Sequence, residues 1–380
     1  MATLGACLVV KNGKNSILRC LDALIPMVDE YVVIDTGSYD GTMELLADWQ
    51  KKHPKARVLL EKVGSRFHDE KGIFDFGAAK GYAFTRATTE YVMWVDVNDI
   101  LLDGAHARKL FDSIVSKYPN AGISMLTKVT PTHTFPRLRI LPKANAAFKG
   151  IIHEIAYNTD STAPTIHTQL VFENYKMSRD IVRNVAALEK AWKAERTQRT
   201  AFYMGNSYYD MKDLPRAYEW YVVTADTFPG DHNEDRLKAL EQICAIIVAT
   251  KTDLAELGER SLQLIEEFPT RGEGYYYRAR FNFEMGDMTY ALTCLDKLMT
   301  LRPPKQHNLW LDPKVYDKEQ LRSLIFSIKE QMQRDMSSQL MTADPMQPDN
   351  IDAAYGYSGM DGMPANLNFG TTVTGFQEFI

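Results

Sequence analysis

Cysteine is scarce in this chain, and long hydrophobic runs are absent. The four cysteines lie far apart within apolar patterns, at Cys7, Cys20, Cys244 and Cys294. This spacing excludes a disulfide framework or a zinc site and predicts small buried side chains. The longest apolar runs have the length of a strand or belong to amphipathic helices, and the N-terminus lacks the pattern of a signal peptide. We therefore expect a cytoplasmic protein with no membrane segment.

An excess of positive charge is also lacking. The net charge is -5, which argues against non-specific adhesion of the whole surface to nucleic acid but allows a local basic groove. No Lys or Arg follows Arg334, and residues 335–380 are rich in Met, Asp, Asn, Gly, Ser and Pro. This composition predicts a disordered tail. Its aromatic and acidic end, Gly375–Ile380, resembles the peptides that bind sliding clamps.

The first part of the chain alternates short strand-like runs with amphipathic helical patterns. Strands are predicted at Cys7–Val10, Tyr31–Asp35, Arg57–Leu60 and Tyr91–Val95. Helical patterns lie between them, at Asn15–Ile25, Thr42–Lys52 and Phe76–Thr85. Alternation of this kind specifies an α/β domain with a mostly parallel sheet and helices on both faces. We assign this domain to residues 1–175.

Two of the predicted strands end in acidic side chains. Asp35–Asp40 follows the second strand and Asp96–Asp99 follows the fourth. Open α/β sheets bind their ligands beyond the carboxyl ends of the strands. Acids at two such ends therefore predict a site for a nucleotide together with a divalent cation.

Residues 176–334 are helical by pattern and contain an internal repeat. Asp213, Asp253 and Asp287 each precede a proline by 16 positions, namely Pro229, Pro269 and Pro303. The first unit fits the tetratricopeptide signature of a packed helix pair at Gly205, Tyr208, Ala217, Tyr221 and Pro229. We therefore predict an all-α, tetratricopeptide-like repeat domain.

Four motifs give the N-terminal region a resemblance to a known family. They are Val9–Asn12, Val28–Thr42, Asp75–Lys80 and the Gly-x-x-His-Glu element within Phe148–Glu154. The region resembles family 2 glycosyltransferases of the GT-A fold, in the branch fused to tetratricopeptide repeats. The resemblance implies a GT-A nucleotide-sugar-binding domain and inverting transfer of a hexose from a nucleoside diphosphate sugar, with UDP-glucose as the expected donor.

The site residues follow from this resemblance and from the chemistry of such a donor. A buried carboxylate discriminates the edges of a base, so Asp35, with the first-strand exit at Val10, Lys11 and Asn12, is the expected base site. Gly37, Ser38 and Asp40 complete that motif, and Lys80 is a cation for the diphosphate. The family implies ribose and metal binding by Asp96 and the residue two places later. A divalent metal, Mn²⁺ or Mg²⁺, is then expected at Asp96 and Asn98, supplemented by Asp99 or His153.

Several alternatives stay open. Glu154 and Asp99 are both candidates for the general base, and His153-Glu154 is equally a metal ligand with a structural partner. The family's Asp-x-Asp has become Asp96-Val97-Asn98, which favours a decayed domain acting as a repeat-based interaction scaffold. The acceptor is a macromolecule: a protein, a glycan or, given the basic segment with Arg137 and Arg139, a hydroxymethylated base in viral DNA.

Overall fold

The computed structural model describes residues 1–130, 133–174, 180–228, 233–304 and 311–342. The chain divides into two compact units, of which the first comprises residues 1–239 and 305–311 and the second comprises residues 240–304 and 312–380. The first unit thus extends beyond residue 175 and includes the first helices of the predicted repeat. Among the described residues, no helix is both long and apolar enough to cross a membrane.

Ten strands are described in the first unit. Their bounds are β1 (Leu4–Val10), β2 (Glu30–Asp35), β3 (Arg57–Lys62), β4 (Tyr91–Val95), β5 (Asp99–Leu101), β6 (Gly122–Lys128), β7 (Thr134–Pro142), β8 (Ala146–Lys149), β9 (Ile155–Asn158) and β10 (Thr165–Asn174). Eight of them form one sheet in the order β3-β2-β1-β4-β7-β6-β10-β5, and β8 pairs with β9 in a separate hairpin. Strands β3, β2, β1 and β4 are parallel neighbours, whereas β7 runs antiparallel to both β4 and β6.

Helices cover both faces of this sheet, as predicted. They are α1 (Ile17–Leu24), α2 (Thr42–Lys52), α3 (Phe76–Arg86) and α4 (Gly104–Lys117). One buried cluster joins α1, α2 and α4 to side chains such as Leu8 and Val33, and a second joins α3 to Val32 and Trp94. Every residue of β2 and β4 is buried, which is typical of central parallel strands. All four cysteines are buried and free, as expected.

The remaining helices follow one another along the chain. They are α5 (Ile181–Ala194), α6 (Gln198–Asp210), α7 (Leu214–Asp226), α8 (Glu234–Thr250), α9 (Leu254–Glu267), α10 (Glu273–Glu284), α11 (Met288–Thr300), α12 (Pro313–Tyr316) and α13 (Lys318–Thr342). Helix α13 continues past residue 335, where the tail was predicted to begin. The rest of that tail, with its terminal peptide, lies outside the described residues.

The repeated aspartates have a clear structural role. Asp213, Asp253 and Asp287 are the N-cap residues of α7, α9 and α11, and each side chain accepts a hydrogen bond from a backbone N–H in the first turn. In the first pair, a Cβ on Gly205 would lie 2.6 Å from the ring of Tyr221, so only glycine permits this close helix crossing. Helix pairs are therefore present, while the tetratricopeptide assignment stays a prediction. Pro229 lies outside the described residues.

Candidate active site

The exits of β1 and β2 form one hydrogen-bonded surface. Because β1 lies between β2 and β4 and the three strands are parallel, their carboxyl ends share one edge of the sheet. The Asn12 backbone N–H donates to Ser38 Oγ at 2.8 Å, and the Tyr39 N–H donates to Asn12 Oδ1 at 3.0 Å. The buried carboxylate of Asp35 accepts from the N–H groups of Gly37 and Ser38. The structure thus brings these predicted base-site residues together.

The other residues predicted at this edge have different surroundings. Val10 is buried, and its carbonyl oxygen accepts from the N–H and the hydroxyl of Thr36. Lys11 is exposed. Asp40 accepts from the Thr42 N–H and hydroxyl and from the Lys14 N–H; although burial opposes it, these hydrogen bonds keep the pKa of Asp40 below its usual value. The Asp40 oxygens therefore stabilise the turn that leads into α2.

A buried lysine joins the two acidic motifs of the site. Lys80, on α3, places Nζ 2.7 Å from Asp96 Oδ1 and 2.6 Å from Glu154 Oε1. The Lys80 side chain is 10% exposed and that of Glu154 is 12% exposed, while that of Asp96 reaches 36%. Burial alone would lower the pKa of Lys80, but the two carboxylates raise it above its ordinary value. The ammonium is therefore held charged between two acids that are 58 residues apart in the sequence.

Two glycines allow this contact. A Cβ on Gly77, in the first turn of α3, would lie 2.2 Å from the carbonyl oxygen of Gly150, and Gly150 itself has a φ of 98°. The Phe76 N–H donates to the Ile151 carbonyl oxygen at 2.8 Å. The amino end of α3 is thus in direct contact with the loop that carries Glu154, because no side chain separates the two backbones.

A second, fully buried ion pair lies beneath Asp96. Arg139 Nη1, on β7, is 2.7 Å from Asp99 Oδ2, and both side chains are 0% exposed. The same Asp99 oxygen accepts from the Asp96 N–H at 3.1 Å, and the other accepts from Asn174 Nδ2 at 2.6 Å. Asp99 therefore fixes the backbone at Asp96, and its burial does not favour the predicted roles as general base or supplementary metal ligand.

The charges around Asp96 determine its protonation. Burial would raise the pKa of Asp96, but Lys80 and then Arg139 and Arg137 outweigh it and lower that pKa to about 2. Asp96 is consequently an ionised, partly exposed carboxylate at the carboxyl end of β4 at any physiological pH.

The predicted metal ligands are only partly brought together. Asn98 Oδ1 is buried and has no hydrogen-bond partner within the described part of the chain, which fits an oxygen reserved for a ligand. The His153 ring instead stacks on Tyr203, with 3.6 Å between ring centres. Within the described ranges, no group of three or more His, Cys, Asp or Glu side chains is arranged to hold a metal ion.

Helix α6 contacts the loop that carries Glu154. Tyr203 supplies the ring on which His153 stacks, at an interplanar angle of 10°, and Arg199 Nε donates to the His153 carbonyl oxygen at 3.4 Å. His153 has a φ of 51°, a left-handed conformation that a non-glycine residue rarely adopts. The helix therefore supports a strained backbone next to Glu154.

The basic segment predicted as a groove, which includes Arg137, Arg139, Lys143 and Lys149, does not form one exposed patch. Arg139 is fully buried, and Lys143 Nζ donates to the Ala87 carbonyl oxygen. Lys149 is paired with Glu195. The prediction of a basic surface patch containing Arg139 is wrong, because an arginine on an inward-facing strand position pairs with Asp99 instead of facing solvent.

Sequence reasoning missed two participants, Trp94 and Tyr203. Trp94 falls within the predicted strand Tyr91–Val95, and no predicted motif contains Tyr203. The position of Trp94 two residues before Asp96 was a usable signal, because such a ring lies next to the charged side chains at the strand end. No local signal marks Tyr203, since its contact with the loop depends on the tertiary fold.

Comparison with known proteins defines the class of the domain. Residues 6–164 match the family model described as glycosyl transferase family 2. Residues 6–164, less than half of the chain, thus resemble a family 2 glycosyltransferase domain, and the predictions of a glycosyltransferase and of a GT-A-type fold followed by a helical region are confirmed.

Individual relatives are more distant. A TPR repeat-containing protein of Synechococcus elongatus is 26% identical over 102 residues, which cover 27% of this chain and 22% of that protein. This chain therefore matches less than a quarter of the length of that relative. Among solved structures, S. aureus TarS 1-349 in complex with UDP is 13% identical, with coverage of 75% of this chain and 92% of that chain and a TM-score of 0.37.

Another similar structure is the mannosyltransferase PcManGT from Pyrobaculum calidifontis in complex with GDP-Man and Mn²⁺. It is 14% identical, with coverage of 78% of this chain and 86% of that chain and a TM-score of 0.40. Both TM-scores lie below 0.5.

Proposed function

We propose that this protein transfers a hexose from a nucleoside diphosphate sugar, with UDP-glucose as the first candidate, to a macromolecular acceptor with inversion at the anomeric carbon. The observation that carries the proposal is the contact of Lys80 with both Asp96 and Glu154 at the carboxyl edge of a family 2 domain. The reaction needs three charged groups. They are a carboxylate that binds the donor, a cation that stabilises its diphosphate and a carboxylate that takes the proton of the acceptor.

The donor base would lie on the surface made by β1 and β2. Each Asp35 oxygen retains accepting capacity beyond its bonds to the Gly37 and Ser38 N–H groups. A base edge with N–H donors therefore fits there, next to Asn12 and Lys11. The exposed backbone of Gly37 has no neighbouring atom within 4 Å of a Cβ position, which leaves room for a ligand.

A divalent metal fits this site through Asp96 and Asn98. Mg²⁺ is commonly held by one or two protein oxygens together with substrate phosphates and water, so a carboxylate and an unpartnered amide oxygen make a sufficient donor set. When bound, the metal would neutralise charge on the departing diphosphate. We leave His153 out of this set because its ring stacks on Tyr203.

Glu154 is the proposed general base. In the transfer step, the acceptor hydroxyl gives its proton to the Glu154 carboxylate and its oxygen forms a bond to the anomeric carbon. The bond from that carbon to the diphosphate oxygen breaks, and its electron pair leaves with the nucleoside diphosphate. Lys80 is in contact with Glu154 and Asp96 alike, so its ammonium can stabilise negative charge on the leaving group as that charge develops.

The acceptor is proposed to be a protein or a glycan. Burial of Arg139 removes part of the basic segment that supported a DNA acceptor. The second candidate function, a decayed domain that serves as an interaction scaffold, is favoured by Asn98 at the metal motif. The contacts of Lys80 with two carboxylates weigh against decay, because they hold a cation and an ionised carboxylate where a donor diphosphate and its metal would bind.

The experiment is donor hydrolysis by the full chain, measured as release of nucleoside diphosphate from UDP-, GDP- and dTDP-sugars with Mn²⁺, Mg²⁺ or EDTA. We expect turnover of one donor, lost in Asp96→Ala and retained in Asp48→Ala, since Asp48 is an exposed acid on α2 that pairs only with Lys51 among the described residues. If the folded wild type hydrolyses none of these donors, the scaffold function has the stronger support.

A further inference from the structure

Three cationic side chains surround the indole ring of Trp94. Arg139 Cζ lies 3.9 Å from the ring centre, Lys80 Nζ lies 4.5 Å away, and Arg137 Cζ lies 5.7 Å away. Trp94 is the penultimate residue of β4, so these cations gather at the strand end that leads into Asp96. Their availability to a ligand differs.

Two of the three cations already have carboxylate partners. Lys80 contacts Asp96 and Glu154, and Arg139 contacts Asp99 in a pair with no solvent exposure. Arg139 also donates to Thr127 Oγ1 at 2.9 Å. Arg139 therefore cannot reach a ligand at the surface, and the Lys80 charge that faces the diphosphate is already shared between two carboxylates.

Arg137 differs from both. Within the described ranges, its guanidinium has neither a hydrogen bond nor an ion pair, and it packs against the rings of Trp94 and Phe135, 4.9 Å from the centre of the latter. It is only partly exposed. Burial and then the charge of Arg139 lower the pKa of Arg137, but the group stays charged because a guanidinium does not lose its proton in proteins. Asp96 and Asp99 lie near enough to favour its charged form, but neither is in contact with it, and a half-buried cation without a contacting anion is costly.

We propose that Arg137 binds the diphosphate of the donor. This inference rests on the proposed function and names the residue that holds the leaving group. The planar guanidinium presents paired N–H donors that match two phosphate oxygens, and the Trp94 and Phe135 rings restrict its orientation. Binding of the diphosphate would bring an anion into contact with this guanidinium and so compensate its charge.

The test compares a nucleoside diphosphate with its nucleoside on the full chain. UDP, uridine, GDP and guanosine are titrated against the wild type, Arg137→Ala and Arg137→Lys, with Arg57→Ala as control. Arg57 begins β3, the terminal strand of the sheet, and its exposed side chain pairs with the buried Glu30. We expect Arg137→Ala to lower the affinity for the nucleoside diphosphate about 10- to 100-fold. Its affinity for the nucleoside should stay within about twofold of the wild-type value, and so should both affinities of Arg57→Ala.

Each outcome separates this inference from the proposed function. An unchanged UDP or GDP affinity in Arg137→Ala overturns the inference, and so does an equal loss for nucleoside and diphosphate, which indicates a structural role. Arg137→Lys keeps the charge and should recover part of the affinity, which guards against misfolding of the alanine variant. If the wild type binds no nucleoside diphosphate at all, the proposed function fails and this inference fails with it.

Discussion

Replacing Lys80 with methionine should destabilise the first unit strongly, because Met has a similar length but no charge. The change leaves Asp96 and Glu154 facing each other without their shared ammonium. Removing one partner of a buried ion pair costs about 3–5 kcal/mol. Since Asp96 is 36% exposed and water screens part of its charge, the lower end applies, and we expect a loss of about 3 kcal/mol in the free energy of unfolding at pH 7.

The size of this loss should depend on pH in a definite direction. In the wild type the pKa of Asp96 is about 2, below its unfolded value, so its contribution is complete above about pH 4 and is lost only as pH falls further. In Lys80→Met the largest cause of that low pKa is removed, so the variant should lose less stability than the wild type as the pH falls below about 4. The difference in stability between the two proteins should therefore be nearly constant from about pH 7 to about pH 5 and should shrink below about pH 4.

Urea unfolding followed by tryptophan fluorescence is the assay, because Trp49, Trp94, Trp192 and Trp220 all lie in the first unit. The matched control is the double variant Lys80→Met, Glu154→Gln, which removes one uncompensated carboxylate and should recover about 1 kcal/mol or more. A loss below about 1 kcal/mol at pH 7, or a loss that is as large at about pH 3 as at pH 7, would refute the assignment of a buried, charged bridge.

Three further predictions concern other parts of the site and the helices. Asp99→Asn leaves the buried Arg139 charge unpaired and should lower the free energy of unfolding by about 3 kcal/mol; a change under about 1 kcal/mol in urea unfolding contradicts the pair. Tyr203→Ala removes the ring stacked on His153 and should reduce kcat for donor hydrolysis about 10-fold, whereas a change confined to the donor KM argues against a role in placing Glu154. Asp213→Ala removes the N-cap of α7 and should cost about 1 kcal/mol, and Asp213→Asn should be nearly neutral; equal losses in both contradict capping.

The α/β part of the fold could be predicted because its signals are local. The buried runs that became β2 and β4 are almost entirely apolar, and the helical patterns between them have the period that one buried face requires. The antiparallel direction of β7 carries no such signal. Its residues read as a basic and aromatic segment, and only the neighbours on both sides of the strand determine which way it runs.

The site was predicted residue by residue but not as an arrangement. Lys80, Asp96 and Glu154 were each chosen from motifs, yet their mutual contact depends on the close approach of Gly77 and Gly150, which sequence spacing does not reveal. The same holds for Asp99. A carboxylate at a strand end predicts a ligand site or a buried ion pair equally well, and only the opposing Arg139 decides between them.

The most direct test of a donor site at the carboxyl edge of the sheet is hydrogen–deuterium exchange of the full chain with and without a panel of nucleoside diphosphates that includes UDP and GDP. We expect one of them, with Mn²⁺ or Mg²⁺, to slow exchange in the segments that follow β1, β2 and β4, namely residues 11–14, 36–41 and 96–99. Protection confined to other segments, or no protection by any nucleoside diphosphate, would contradict a donor site at this edge of the sheet.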